Sequence, residues 1–178
     1  MGAASPGTTR GRRIDDIAGL RRILATCKTI AVVGLSANWY RPSYFAAKYL
    51  LDHGYRIVPV NPSYEEVLGQ RCYPSIAAID GPVDMVDAFR KPADMPAIAR
   101  EAVAKGARVL WMQLGIASDE ATRIATEGGL DVVENRCVKI EHGRILGGED
   151  DVAIGGHNCR RAEKQSQELA STWPTPAP

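Results

Sequence analysis

The sequence predicts a doubly wound α/β fold, a mostly parallel five-stranded sheet flanked by helices. Three observations carry this. Thr29-Ile30-Ala31-Val32-Val33-Gly34 is a continuous apolar run, rich in β-branched residues, that stops at glycine, as buried parallel strands do. That run, a helix-patterned segment and a second apolar strand succeed one another within about 30 residues, which is a βαβ unit with its right-handed crossover. Strand-like and helix-like segments then keep alternating as far as Val133.

The elements follow in order. Ile17, Leu20, Ile23 and Leu24 recur at helical spacing behind Asp15 and Asp16, which predicts a helix over 14–26. Strand one covers 29–33. After the Gly34 turn, Ser43 is read as the N-cap of a helix that runs to His53 and stops at Gly54. Strand two covers 55–60 and ends at Asn61-Pro62. Residues 63–70 read as a short charged helical excursion, and 75–79 as another short helix. Asp80-Gly81-Pro82 is a turn. Strand three covers 83–89, a helix 94–105 ends at Gly106, and strand four covers 107–112. Ser118 caps a further helix that ends at Gly128-Gly129, and strand five covers 130–133. Residues 134–140 receive no element.

The organised domain is expected over 14–146. Residues 1–13 are small, polar and basic without periodicity, and read as a disordered lead. Residues 147–178 read as a flexible tail with at most a short helix near Arg161 to Leu169.

Composition narrows the function. The 178 residues are enough for one domain with a substantial core. A net charge of +1 gives no bulk attraction to nucleic acid or to a membrane surface. No apolar run approaches the roughly 20 residues that span a bilayer. The lead lacks the apolar core of a secretory signal. The four cysteines, Cys27, Cys72, Cys137 and Cys159, lack C-x-x-C spacing and are expected to be reduced thiols in a cytoplasmic protein.

In open parallel sheets ligands sit outside the carboxyl ends of the strands. The glycine turn after strand one is therefore the first candidate site. Its missing Cβ lets a ligand approach the backbone, and the following helix N-terminus is expected to supply N–H groups for an anion such as a pyrophosphate. The dinucleotide fingerprint G-x-G-x-x-G fits poorly. Aligned on Gly34, its second and third glycine positions hold Ser36 and Trp39, and Asn61 stands where an acidic residue would hold a ribose.

Gly34-Leu35-Ser36, Arg41-Pro42-Ser43, Gly54-Tyr55-Arg56-Ile57-Val58-Pro59-Val60-Asn61-Pro62, Cys72-Tyr73-Pro74-Ser75, Phe89-Arg90-x-Pro92 and Trp111-Met112-Gln113-Leu114-Gly115 together resemble the stand-alone CoA-binding protein family. That family is similar to the N-terminal domain of the succinyl-CoA synthetase α subunit. The resemblance covers about residues 14 to 145. It implies a Rossmann-like domain with coenzyme A at the strand ends. It implies Gly34 and Ser36 at the pyrophosphate, and Asn61 and Pro62 at the adenine and ribose with Val60 beneath. Phe89, Arg90 and Pro92 would lie along the pantetheine or phosphate path. Arg41 and Arg90 are the cations expected to meet phosphate, with Arg41 alternatively a solvated turn residue. Gln113 is read as ligand-proximal and Trp111 as core.

The resembled synthetases also need a phosphohistidine-bearing ligase domain and a nucleotide-activating module, for which this chain has no room. The expected function is therefore binding of coenzyme A or an acyl-CoA without catalysis. An oxidoreductase-type enzyme using NAD(P), or a regulatory module whose partner is a protein, are the alternatives.

Other chemistry is weaker. Cys137 with His142 suggests a nucleophile, but no orienting third group is evident, and a buried strand cysteine is the competing reading. His157 and Cys159 are too few for a metal site. Asp84 and Asp87 read as facing a turn or helix and not as an acid–base pair. Gly34→Val is expected to block the site while sparing the fold. The whole reading requires that Trp39 and Tyr40 leave the Gly34 corner open.

Overall fold

The computed structural model describes residues 10–147. Five parallel strands form one sheet: β1 (Thr29–Val33), β2 (Arg56–Val60), β5 (Met85–Ala88), β6 (Val109–Met112) and β7 (Asp131–Val133). Their order is β2-β1-β5-β6-β7. The chain thus builds outward from β1 to β2, returns to the other side of β1 with β5, and continues away. The strand order reverses between β1 and β5, and such a switch point opens a crevice at the carboxyl edge.

Both faces of the sheet are covered, which explains why the strands read as unbroken apolar runs. On one face α1 (Ile17–Thr26), α2 (Pro42–Asp52) and α5 (Val138–Ile145) pack Leu20, Ile23, Leu50 and Val138 against Ile30, Val32, Ile57 and Trp111. On the other, α3 (Met95–Lys105) and α4 (Asp119–Glu127) pack Met95, Ala99, Ala121 and Ala125 against Ala31, Val86, Leu110 and Val132. Alternate residues of each strand serve opposite faces because side chains along a strand repeat with period two.

Several predicted elements are corrected. Residues 63–70 are not helical: β3 (Glu66–Val67) and β4 (Gln70–Arg71) form an antiparallel hairpin. Its two turn residues, Leu68 (φ 56°) and Gly69 (φ 69°), are both left-handed, the backbone a tight two-residue hairpin needs. Leucine at the first of these positions conceals the signal. Residues 75–79 form two successive turns, Ala78 N–H to Ser75 O and Ile79 N–H to Ile76 O, instead of a helix. Ser43 is not the N-cap of α2. Arg41 is, with Pro42 at the first helical position, where its fixed φ fits and its missing N–H costs nothing. The first helix starts later than read, at Ile17, behind an Asp16 carboxylate that accepts from Gly19 N–H at 2.8 Å. Helix α5, to which no element was assigned, closes the α1/α2 face.

Residues 10–13, read as part of a disordered lead, run along the edge strand β7. Val132 N–H donates to Arg12 O, and Ile14 N–H donates to Val132 O, both at 2.8 Å. Gly11 sits so close that a Cβ there would lie 1.9 Å from Leu130 O. The expected tail from 148 onward lies outside the described residues, as do residues 1–9. Among the described residues no helix is long and apolar enough to cross a membrane.

Candidate functional site

A groove of about 410 Å³ opens at the carboxyl edge, at the β1/β5 switch point. Gly34 and Val33 end β1, Val60, Asn61 and Pro62 end β2, and Arg90 follows β5. Pro74, Ser75 and Ile76 form one wall, and the early turns of α3, with Asp94, Ala97, Ile98 and Glu101, form the other. Glu101 Oε2 accepts from Ile76 N–H at 3.2 Å and ties these two walls together.

Gly34 is required by its neighbour. Its φ is +82°, and a Cβ would lie 2.6 Å from Phe89 O and 2.9 Å from Arg90 Cδ. The end of β5 therefore packs against bare backbone. Gly34 N–H donates to Val60 O at 2.8 Å, and Ser36 N–H donates to Ser43 Oγ at 3.2 Å. Tyr44 and Phe45 N–H groups donate to Arg41 O, and Pro42 has none. Several N–H groups expected to face an anion at this turn are thus engaged within the protein. Ser43 is buried because its hydroxyl organises the turn.

Asn61 is the clamp of the groove. Its Nδ2 donates to Leu35 O at 3.0 Å, while its Oδ1 accepts from Ser63 N–H at 3.0 Å. Only an amide performs both tasks; a carboxylate has no proton for Leu35 O. This is a structural reason for asparagine where a dinucleotide enzyme carries an acid.

Among the described residues Arg90 is the one cation lining the groove, and its Nε lies 3.3 Å from Asp94 Oδ2. Both side chains are substantially exposed, so the pair is loosely held. Asp94 and Glu101 also line it, so among the described residues Arg90 faces two acids there.

Of the ten residues read from sequence, Gly34, Val60, Asn61, Pro62 and Arg90 converge on the groove. Ser36, Arg41 and Pro92 lie on adjoining turns outside its lining, and Phe89 packs its ring on the α1/α2/α5 side. Gln113 points inward: it is buried, its Nε2 donates to Asp87 Oδ1 at 2.6 Å, and its Oε1 accepts from Val138 N–H at 3.4 Å. Sequence reasoning left Ser63, Ser75, Asp94 and Glu101 without a role. The i,i+4 spacing of Ala97 and Glu101 on one face of the helix was the available signal for the α3 wall.

Trp39 and Tyr40 do not fill the corner. They stack on each other, ring centroids 3.7 Å apart, and are more than half exposed. Trp111 is fully buried, with Nε1 donating to Arg136 O at 2.8 Å. Cys137 caps α5 and is partly exposed. His142 is turned to α2, with Nδ1 3.1 Å from Tyr49 Oη, so the structure does not pair it with Cys137. Burial pushes the Cys27 and Cys72 thiols up, away from reactivity. Among the described residues no group of three or more His, Cys, Asp or Glu is placed to hold a metal.

Asp84 and Asp87 have separate tasks. Burial opposes ionisation of Asp84, but the N–H groups of Thr29 and Lys28 and the guanidinium of Arg108 outweigh it and hold its carboxyl low. Asp87 is fully buried on β5, and its Oδ2 has no partner. Burial raises it to about 7, against the smaller opposing effect of Gln113.

A parallel sheet with a concave groove at its switch point, walled by the start of a helix, is the architecture of nucleotide-cofactor-binding domains. The chain belongs to the CoA binding domain family, which it matches over residues 28–143. It is 40% identical over 125 residues to the uncharacterized protein YneT of Bacillus subtilis, covering 70% of this chain and 93% of that one. A hypothetical protein from Pyrococcus horikoshii OT3 has a similar solved structure, with TM-score 0.73, 41% identity and coverage of 82% of this chain and 99% of that one. An ADP-forming acetate–CoA ligase of Methanocaldococcus jannaschii is 28% identical over 81 residues, 46% of this chain but only 12% of the ligase.

Proposed function

We propose that this protein binds coenzyme A or an acyl-CoA in the groove at the β1/β5 switch point and carries no catalysis of its own. The observation that carries this reading is the convergence of Gly34, Asn61, Pro62 and Arg90 on one open groove in a chain of the CoA-binding family. Apolar walls from Val60, Ile76 and Ile98 suit an adenine or a pantetheine chain. Pro62 and Asn61 border the adenine and ribose, with Val60 beneath.

Arg90 meets the diphosphate. The ligand phosphate replaces Asp94 as its partner, a better acceptor for a guanidinium because it offers more charge and bidentate geometry. Arg41 and Pro92 stand on the adjoining turns, where the rest of a long ligand extends.

Calorimetric titration of the full chain tests this, with NAD+ and NADP+ as comparators. Coenzyme A binds saturably and the dinucleotides do not. Arg90→Ala weakens coenzyme A binding about tenfold and lowers its salt dependence. At 100 times its dissociation constant, coenzyme A raises stability by about 2.7 kcal/mol. A folded sample with neither heat nor thermal shift defeats the proposal.

A further inference from the structure

At the other edge of the sheet, where the strands begin, lies a second and larger cavity of about 550 Å³. Among the described residues it is lined by four arginines, Arg10, Arg12, Arg22 and Arg108, against one acidic residue, Asp131. The chain as a whole is close to neutral at +1, so this is a local concentration of one sign of charge. A strand length of about 15 Å separates it from the groove.

The arrangement is built. Gly11 N–H donates to Thr126 O at 3.0 Å, and Arg12 is bonded to β7 through both its N–H and its carbonyl, which fixes where Arg10 and Arg12 leave the backbone. The acids are already engaged. Asp131 Oδ1 accepts from Arg12 N–H at 3.0 Å and its Oδ2 from Arg22 at 2.7 Å. Asp84 is held by two backbone N–H groups and Arg108. The guanidiniums keep donors in reserve. Both bonds from Arg108, to Thr26 O and to Asp84 Oδ1, leave one terminal nitrogen. Arg22 and Arg108 stay about half exposed. Arg10 and Arg12 make no side-chain ion pair among the described residues.

We propose that this cavity is a second binding site, for a small polyanion carrying phosphate groups. Guanidinium forks recognise phosphate oxygens in pairs, and the volume suits a ligand of moderate size. The inference is independent of the coenzyme A reading, since the two sites share no residue.

Inorganic pyrophosphate is the probe, titrated into the full chain and followed by calorimetry and by backbone amide shifts. Because pyrophosphate also suits the groove, two variants separate the sites: Arg10→Ala with Arg12→Ala, and Arg90→Ala. In the wild type and in Arg90→Ala, the amides of Gly11, Gly129 and Asp131 shift saturably. The double variant loses at least tenfold in affinity for that event and shows a shallower salt dependence. Shifts confined to Gly34, Asn61 and Arg90, undiminished binding by the double variant, or no binding at millimolar pyrophosphate each overturn the proposal. The wild-type amide map decides the matter even if the double variant misfolds.

Discussion

Asn61 and Gly34 hold the groove in shape through backbone contacts that neither residue advertises. Asn61→Asp exchanges a donor for a carboxylate facing Leu35 O and leaves that carbonyl unpaired. A loss of about 1–3 kcal/mol in chemical denaturation is expected, together with weakened coenzyme A binding. Asn61→Ala, which removes the charge problem but also both bonds, separates repulsion from lost bonding. Gly34→Val is not the clean site test that the sequence suggests. A β-branched side chain at φ +82° is strained, and its Cβ overlaps Phe89 O. The expected outcome is a loss of several kcal/mol, seen as a lower thermal midpoint whether or not ligand is present. Full stability in that variant shows that β5 moves aside more easily than its packing implies.

Among the elements, the segment over residues 10–14 is the least expected. Its own sequence has no strand pattern, yet it lies on β7 because Gly11 has no side chain to hold it off Leu130 O. Gly11→Ala is expected to detach it. Amide exchange at Val132, whose N–H donates to Arg12 O, rises markedly while the core strands stay protected, and stability falls by about 1–3 kcal/mol. The same variant weakens the proposed polyanion site, since Arg10 and Arg12 lose their fixed origin. The β3–β4 hairpin also evades periodicity, being two residues per strand with leucine in a left-handed turn position. Helix α5 evades it because its buried positions include the polar Glu141 and His142.

For the molecule as a whole, the buried Asp87 carboxyl sets the pH dependence of stability near neutrality. The folded chain holds this proton up to about pH 7, while an unfolded aspartate releases it near 3.8. The folded state therefore binds more protons across that interval, so stability falls as pH rises from about 4 to 7 and levels off above. Asp84 and Glu141 act oppositely. Their carboxyls are held low in the folded state, so the stability they contribute is present above their unfolded values and is lost as pH falls through the folded ones. Together these place the optimum on the mildly acidic side. Asp87→Asn mimics the protonated form. It raises stability modestly at pH 5 and by more at pH 8, and flattens the profile between. An unchanged slope in denaturation at pH 5, 6, 7 and 8 shows that Asp87 is not the titrating group.

The alternation of apolar strands and amphipathic helices, the glycine stops and the order of motifs were legible in the chain itself. They arise from local periodicity and turn chemistry, and they led to the parallel sheet, its switch point and five of the groove residues. Contacts between residues far apart in the chain were not legible. Gln113 stands at a strand end, where a ligand residue belongs, but Asp87 from the neighbouring strand draws it inward. Ser43 has the identity of a cap, but the Ser36 N–H claims its hydroxyl. The four arginines of the second cavity lie at positions 10, 12, 22 and 108, and only the packing of the first segment on β7, with α1 alongside, brings them together. A side chain's partner is set by which backbone reaches it in three dimensions, and for these residues that distance is nowhere written in the spacing of the sequence.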